Sequence, residues 1–333
     1  MKIIVLTPIK NEEWILSKYL EITSLFADHI IIADQDSKDR SKEIAKKFEK
    51  VILIENNKKG YDEAERQILL INKARELFGT GNLLLALDAD EIITASGISS
   101  TSWDIIRQSD LGTVFFFDKP TLAFDKPYVF RYGKGFPLGY LDDGANHQPD
   151  LIHSTRIPYP MNAPVINIED IEFLHLCFVR ENVQFSKNRY YCALENINKT
   201  NVLRLRNKRY RYFKSEDYIK ENKLHPIQDK WLSYPNHVEL KNFKQQKYYY
   251  SDYEVLKLFQ KYGTKRFFSD PIWNIDWEDC RKEAKSKGVD NIPNEPIQTP
   301  SKLRRASNNI FFAFIKNGSK ILKTLVNLMK QQR

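Results

Sequence analysis

The chain is poor in several things, and each shortage removes a class of protein. It has three cysteines, Cys177, Cys192 and Cys280, with no Cys-x-x-Cys spacing. That argues against a disulfide framework and a closed structural zinc site, and it fits reduced thiols in a cytoplasmic protein. No apolar run approaches the roughly 20 residues that span a bilayer. Met1-Lys2-Ile3-Ile4-Val5-Leu6-Thr7 is too brief for a secretory leader and reads instead as a first strand. Glycine is missing where a phosphate loop would need it, because the turn Thr7-Pro8-Ile9-Lys10-Asn11-Glu12 has none. Without it, backbone amides cannot close on a pyrophosphate, which removes the dinucleotide-binding and P-loop readings. Acidic residues are absent from 301–333, a stretch with eight Lys and Arg that carries most of the net charge of +9. A nucleic-acid reader would carry its charge on the folded domain, so nucleic acid is not an expected partner.

What is present begins as an alternation of strands and helices. Residues 3–7, 29–33, 51–54 and 82–87 are short apolar runs. Between them lie helical patterns over 12–26, over the stretch through Ile44, Ala45 and Phe48 with Ser37 as its N-cap, and over 62–78. That grammar predicts βαβ units and a parallel sheet with right-handed crossovers. Beyond residue 90, strands are expected at 114–117, 128–131, 165–168 and 171–177, with Gly133, Gly135 and Gly139 marking turns. From about Asn182 the chain turns helical, basic and aromatic, and Pro293, Pro296 and Pro300 suggest a linker to a C-terminal tail. The expected division is therefore 1–180, 181–292 and 293–333.

The chemistry concentrates at Asp88-Ala89-Asp90, where the run Asn82 to Leu87 leaves the core. In an extended chain, residues two apart point the same way, so the two carboxylates are expected to converge. Open α/β sheets bind ligands at this edge, and hard divalent cations choose carboxylate oxygens shared with substrate phosphates. Asp34, ending the second strand, sits where doubly wound folds place the acid that grips a ribose or base.

Four segments together resemble the nucleotide-sugar-dependent glycosyltransferases of family 2, which have the GT-A fold. They are Thr7-Pro8-Ile9-Lys10-Asn11-Glu12, Asp34-Gln35-Asp36-Ser37-Lys38-Asp39-Arg40-Ser41, Gly60 through Arg66, and Asp88-Ala89-Asp90-Glu91. The resemblance covers residues 1–95 and thins out beyond His175. It implies an α/β GT-A domain, here with a helical C-terminal extension. Thr7, Pro8, Asn11, Glu12, Asp34, Asp36, Arg66 and Asp88 would then contact the donor nucleotide, Asp34 the base, typically uracil. Asp36 stands where the family usually has glycine. Asp88, Asp90 and a late histidine, His175, would hold Mn²⁺ or Mg²⁺, while Lys59, Arg180 and Lys187 would meet the diphosphate. Lys59 and Arg66 also fit solvated surface groups, and His175 fits a core histidine bonded to backbone. The family's general base falls between the acidic motif and that histidine, which nominates Asp143 with Asp142 as its rival, although Asp142-Asp143-Gly144 is also a turn sequence.

The expectation is an inverting, metal-assisted transfer from a UDP-linked sugar to a hydroxyl of a glycan or lipid-linked glycan. Phe311, Phe314, Ile315, Leu322, Leu325 and Met329 recur at helical spacing among lysines, a cationic amphipathic pattern. It suits an anionic membrane surface, hence peripheral attachment on a cytoplasmic face, or docking on the protein's own core. The alternatives are a nucleotidyltransferase of similar architecture and a non-catalytic binding protein.

Overall fold

The computed structural model describes residues 1–56, 63–123, 127–130, 135–148, 155–198, 219, 223–235, 240, 243, 245–308 and 310. The chain divides into two units. Met1–Val179 with Lys223–Lys244 forms one, and Arg180–Asn222 with Gln245–Arg333 the other. The expected division into 1–180, 181–292 and 293–333 does not contain the later segment that returns to the first unit.

The first unit opens with β1 (Ile3–Ile9), α1 (Leu16–Thr23), β2 (His29–Asp34), α2 (Ser41–Ala45), β3 (Val51–Glu55), α3 (Glu63–Phe78) and β4 (Leu83–Ala86). These strands lie side by side as β3-β2-β1-β4, all parallel. Their apolar runs are continuous because both faces are covered. Ile4, Leu6 and Leu84 pack with Leu70, Ile71 and Ala74 of α3, while Ile3, Val5, Leu83 and Leu85 pack with Leu16, Tyr19 and Leu20 of α1. Each such side chain, fully buried, contributes about 1.5–3 kcal/mol before conformational entropy is counted.

The unit continues with β5 (Glu91–Ile93), α4 (Ala95–Ile98), α5 (Ser102–Gln108), β6 (Val114–Asp118), β7 (Thr121–Leu122), β8 (Tyr128–Phe130), β9 (Phe136–Leu141) and β10 (Val165–His175). After the return it adds β11 (Leu224–Pro226). The sheet runs β11-β8-β7-β10-β6-β9-β4-β1-β2-β3, and β5 pairs with β10. This is the mixed α/β sheet flanked by helices that the sequence led us to expect. Three local expectations differ. Ser37 does not cap α2; Arg40 occupies that position with no side-chain cap, and the Ser37 hydroxyl instead accepts the Asn11 N–H. The glycine-rich stretch around Gly139 is a strand, β9, inserted antiparallel between β4 and β6. The two short strands expected over 165–177 are one strand with a bulge between Ile168 and Glu172.

The second unit holds α6 (Glu181–Asn198), α7 (Tyr250–Tyr262) and α8 (Trp277–Ser286) around a core that includes Tyr248, Leu256, Phe259, Phe267 and Trp277. A buried Arg189–Asp252 pair at 2.8 Å ties α6 to α7. The expected proline linker is partly packed: Ile297 is buried in this core, and its N–H donates to Glu278 at 3.0 Å. Most of the expected amphipathic helix, from residue 311 onward, lies outside the described residues. Among the described residues, no helix is long and apolar enough to cross a membrane.

Candidate functional site

β4 delivers its chain to the carboxyl edge of the parallel strands, where the Leu87 N–H still donates to Leu6 O at 3.1 Å. The backbone then turns. Glu91 N–H donates to Asp88 O at 2.9 Å, closing a turn over Asp88-Ala89-Asp90-Glu91, and β5 leaves antiparallel to β10. This turn corrects the expectation that Asp88 and Asp90 converge. The alternation that aligns residues two apart requires extended backbone, and here the two carboxylates take different partners. Asp88 Oδ2 accepts Arg156 Nη2 at 2.6 Å, whereas Asp90 Oδ2 lies 3.8 Å from His175 Nε2.

Glu91 is the most enclosed member of the motif, with no accessible side-chain surface. Arg156 Nη1 reaches its Oε2 at 2.6 Å, Lys119 Nζ its Oε1 at 2.8 Å, and the Asp88 N–H its Oε2 at 3.0 Å. Burial would raise the Glu91 carboxyl, but Arg156 first and Lys119 next outweigh it and hold the group well below the ordinary range. Asp88 is pushed the other way by its packed surroundings, against the pull of Arg156 and with help from Glu91 and Asp90. About a third of its side chain, 34%, nevertheless remains accessible. Burial lowers His175, which favours neutral imidazole.

Next to this network is a pocket lined by Leu6, Pro8, Arg66, Gln67, Leu70, Ala86 and Arg156. Its lining comes from the carboxyl ends of β1 and β4 and from α3, and includes two arginines. One strand over, β2 ends at Asp34, fully buried, with Oδ2 accepting the Ser37 N–H at 3.1 Å and lying 3.4 Å from Lys42 Nζ. Among the described residues, Asp34 Oδ1 is buried with no hydrogen-bond partner. A buried carboxylate oxygen left this way is costly unless something donates to it.

The expected nucleotide contacts separate by strand alternation. Pro8 and Arg66 line the pocket. Thr7 faces the opposite side, its hydroxyl 2.5 Å from that of Tyr19 in the core. Asn11, Glu12 and Asp36 brace loops: Asn11 Oδ1 accepts the Lys38 N–H, the Glu12 N–H donates to Ser41 Oγ, and Asp36 Oδ1 accepts Lys38 Nζ. Asp36 has φ +53°, a left-handed conformation that glycine adopts freely, and Asp is among the residues that tolerate it. Arg180 and Lys187 belong to the second unit, where Arg180 lies 5.6 Å over the Tyr249 ring and Lys187 is half-buried on α6. Lys59 lies outside the described residues.

Two expectations fail on geometry. Leu83 pairs with Leu141, and the Asp142 N–H donates to Asn82 O, so Asp142 and Asp143 lie at the amino end of β4. Asn82 and Asp88 are separated by about 20 Å of extended chain. Asp142 is fully buried and spent on structure, with Arg75 Nη2 at 2.7 Å and Nε at 3.0 Å. Asp143 accepts from the Tyr140 hydroxyl and the Ala145 N–H, which outweigh burial and hold it below the ordinary range, unlike a base raised by its neighbour. Neither residue is placed to serve as the base beside Asp88.

Nor do Asp88, Asp90 and His175 form one ligand set. Asp88 is committed to Arg156, and among the described residues no three His, Cys, Asp or Glu side chains come together as a metal site. The donor set does not fit the divalent cation that the resemblance implied.

The sequence reading missed Arg156 and Lys119. Lys119 follows β6, whose carboxyl end lies on the same edge as Asp88, and that placement was available once β6 was recognised. Arg156 follows a stretch with no period, and nothing local marks it.

No family model matches the chain, and no curated protein matches it. Solved structures similar to it include a glycosyltransferase involved in the glycosylation of the major capsid of PBCV-1, at 13% identity, covering 53% of this chain and 94% of that one with a TM-score of 0.30. HddC from Yersinia pseudotuberculosis is similar at 11% identity over 53% of this chain and 93% of that one, with a TM-score of 0.31. A nucleotidyl transferase from Methanothermobacter thermautotroptrophicus is similar at 12% identity over 42% and 71%, with a TM-score of 0.27.

Proposed function

We propose that this chain is a glycosyltransferase using a nucleoside-diphosphate sugar, with UDP as the nucleotide. The observation that carries the reading is the buried Asp34 Oδ1 at the end of β2, without a hydrogen-bond partner among the described residues, one strand from the pocket lined by Arg66 and Arg156. An N–H of a pyrimidine base would satisfy that oxygen, and the two guanidiniums suit a diphosphate. In the reaction the acceptor hydroxyl oxygen bonds to the anomeric carbon as that carbon's bond to the diphosphate breaks, and the hydroxyl proton passes to water or to the departing diphosphate. The bonding pair leaves with the nucleotide, the configuration inverts, and cations stabilise the charge that develops on the leaving group. The acceptor is proposed to be a glycan or lipid-linked glycan, and 301–333 to bring the enzyme to an anionic membrane.

The test is a panel of nucleotide sugars and free nucleotides in thermal shift, followed by product analysis of the stabilising donor. The expected result is stabilisation by UDP and its sugars, with UDP released on turnover. Pyrophosphate release from UTP and a sugar phosphate would instead establish a nucleotidyltransferase. A chain that no nucleotide stabilises would be neither.

A further inference from the structure

We infer that Arg156 is the resident cation of the donor site and binds the leaving diphosphate in the place where a divalent metal was expected. This rests on the donor reading above.

Three hydrogen bonds fix the guanidinium: Nη1 to Glu91 Oε2 at 2.6 Å, Nη2 to Asp88 Oδ2 at 2.6 Å, and Nη2 to Glu91 Oε1 at 3.2 Å. They use three of its five N–H donors. Glu91 is wholly buried, so it anchors Arg156 from below, while Asp88 and Arg156 keep 34% and 24% of their side-chain surface. Arg156 also lines the pocket, together with Arg66. Arg156 thus joins the acidic motif on one side to the cleft on the other. Lys119, also on Glu91, keeps the buried carboxylate compensated if Arg156 shifts toward a ligand.

A divalent ion bound through Asp88 would have to break a 2.6 Å charge-assisted contact and leave a guanidinium beside a dication. A diphosphate can instead take the two N–H donors that Asp88 and Glu91 leave unused, without displacing either carboxylate. Planar, bidentate recognition of phosphate oxygens is what arginine does well, and a lysine at the same point would supply charge without the fork.

The experiment is calorimetric titration of uridine, UMP and UDP into the full chain, in EDTA and in Mn²⁺, for the wild type, Arg156→Lys and Arg156→Met. The wild type should bind UDP in EDTA at least about tenfold tighter than UMP, since each charge-assisted contact to the second phosphate is worth a tenfold factor or more. Mn²⁺ should change that preference little. Arg156→Met should abolish the preference and leave uridine affinity unchanged. Arg156→Lys, which keeps Glu91 and Asp88 compensated, should fold even if Arg156→Met does not, and should lose most of the preference. Wild-type UDP preference that appears only with Mn²⁺ would overturn the inference, as would its survival in both variants; in either case uridine binding would leave the donor reading intact. Failure of the wild type to bind any of the three would sink both.

Discussion

At the residue scale, Asp142 is a structural anion, bonded to Arg75 and to the Gly144 N–H, so Asp142→Asn should cost roughly 2–3 kcal/mol in unfolding free energy. UDP affinity should be unchanged, because the residue sits at the far edge of the sheet. Asp143→Asn should leave turnover within about twofold, since general-base removal would cost far more. A thousandfold loss would restore Asp143 as the base. His147 supplies a pH test. Its Nε2 lies 3.1 Å from Gln67 Oε1, and burial lowers it to about 4. Between 6.5 and about 4 the unfolded chain holds a proton on this ring that the folded chain does not, so stability falls as pH drops through that window. Below 4.5 the loss steepens as Glu91, held low in the fold, is protonated on unfolding. His147→Gln should flatten the 6.5-to-4 segment of a melting-temperature profile by an amount on the order of 1 kcal/mol, after allowance for the half-exposed ring. An unchanged slope would assign that segment to other groups, such as His29, which burial also lowers.

At the element scale, a single added atom is enough to disturb β9. A Cβ on Gly139 would stand 3.0 Å from Phe117 Cε2 and 3.3 Å from Phe115 Cβ, both on β6. Gly139→Ala should therefore destabilise by about 1–3 kcal/mol through overpacking. A neutral result in chemical denaturation would mean that the sheet gives way there more easily than its packing implies. The same glycine explains what the sequence concealed. β1, β2, β3 and β4 were legible because burial on both faces writes continuous apolar runs. β9 was not, because Gly139 and its neighbours Gly133 and Gly135 read as turn signals, whereas Gly139 is there so that β9 can approach Phe115 and Phe117 closely. The site shows the same division. Asp34 and Asp88 follow strands and could be placed from the chain alone. The partner of Asp88 comes from residue 156, 68 positions away, and no periodicity spans that distance.

At the whole-molecule scale, the first unit is not a contiguous stretch. Trp231 and Tyr234 are buried in its core, the Tyr234 hydroxyl donates to Ile93 O at 2.6 Å, and β11 pairs with β8. A chain cut after Val179 should therefore fail to give a cooperative melt, while 1–179 joined to 223–244 by a flexible linker should recover one. The tail makes a separate prediction. Removing 301–333 should release the protein from phosphatidylserine vesicles in a flotation assay, with UDP affinity retained, as expected for an electrostatic and amphipathic attachment. Unchanged flotation would place the docking surface elsewhere. The returning segment also orders events during synthesis. The ribosome must deliver the chain through residue 244, including all of α6 from the second unit, before the first unit is complete and Tyr234 can reach Ile93. The sheet that carries Asp34 and Asp88 thus waits, seconds after β1 to β10 have emerged, for a late piece to complete it.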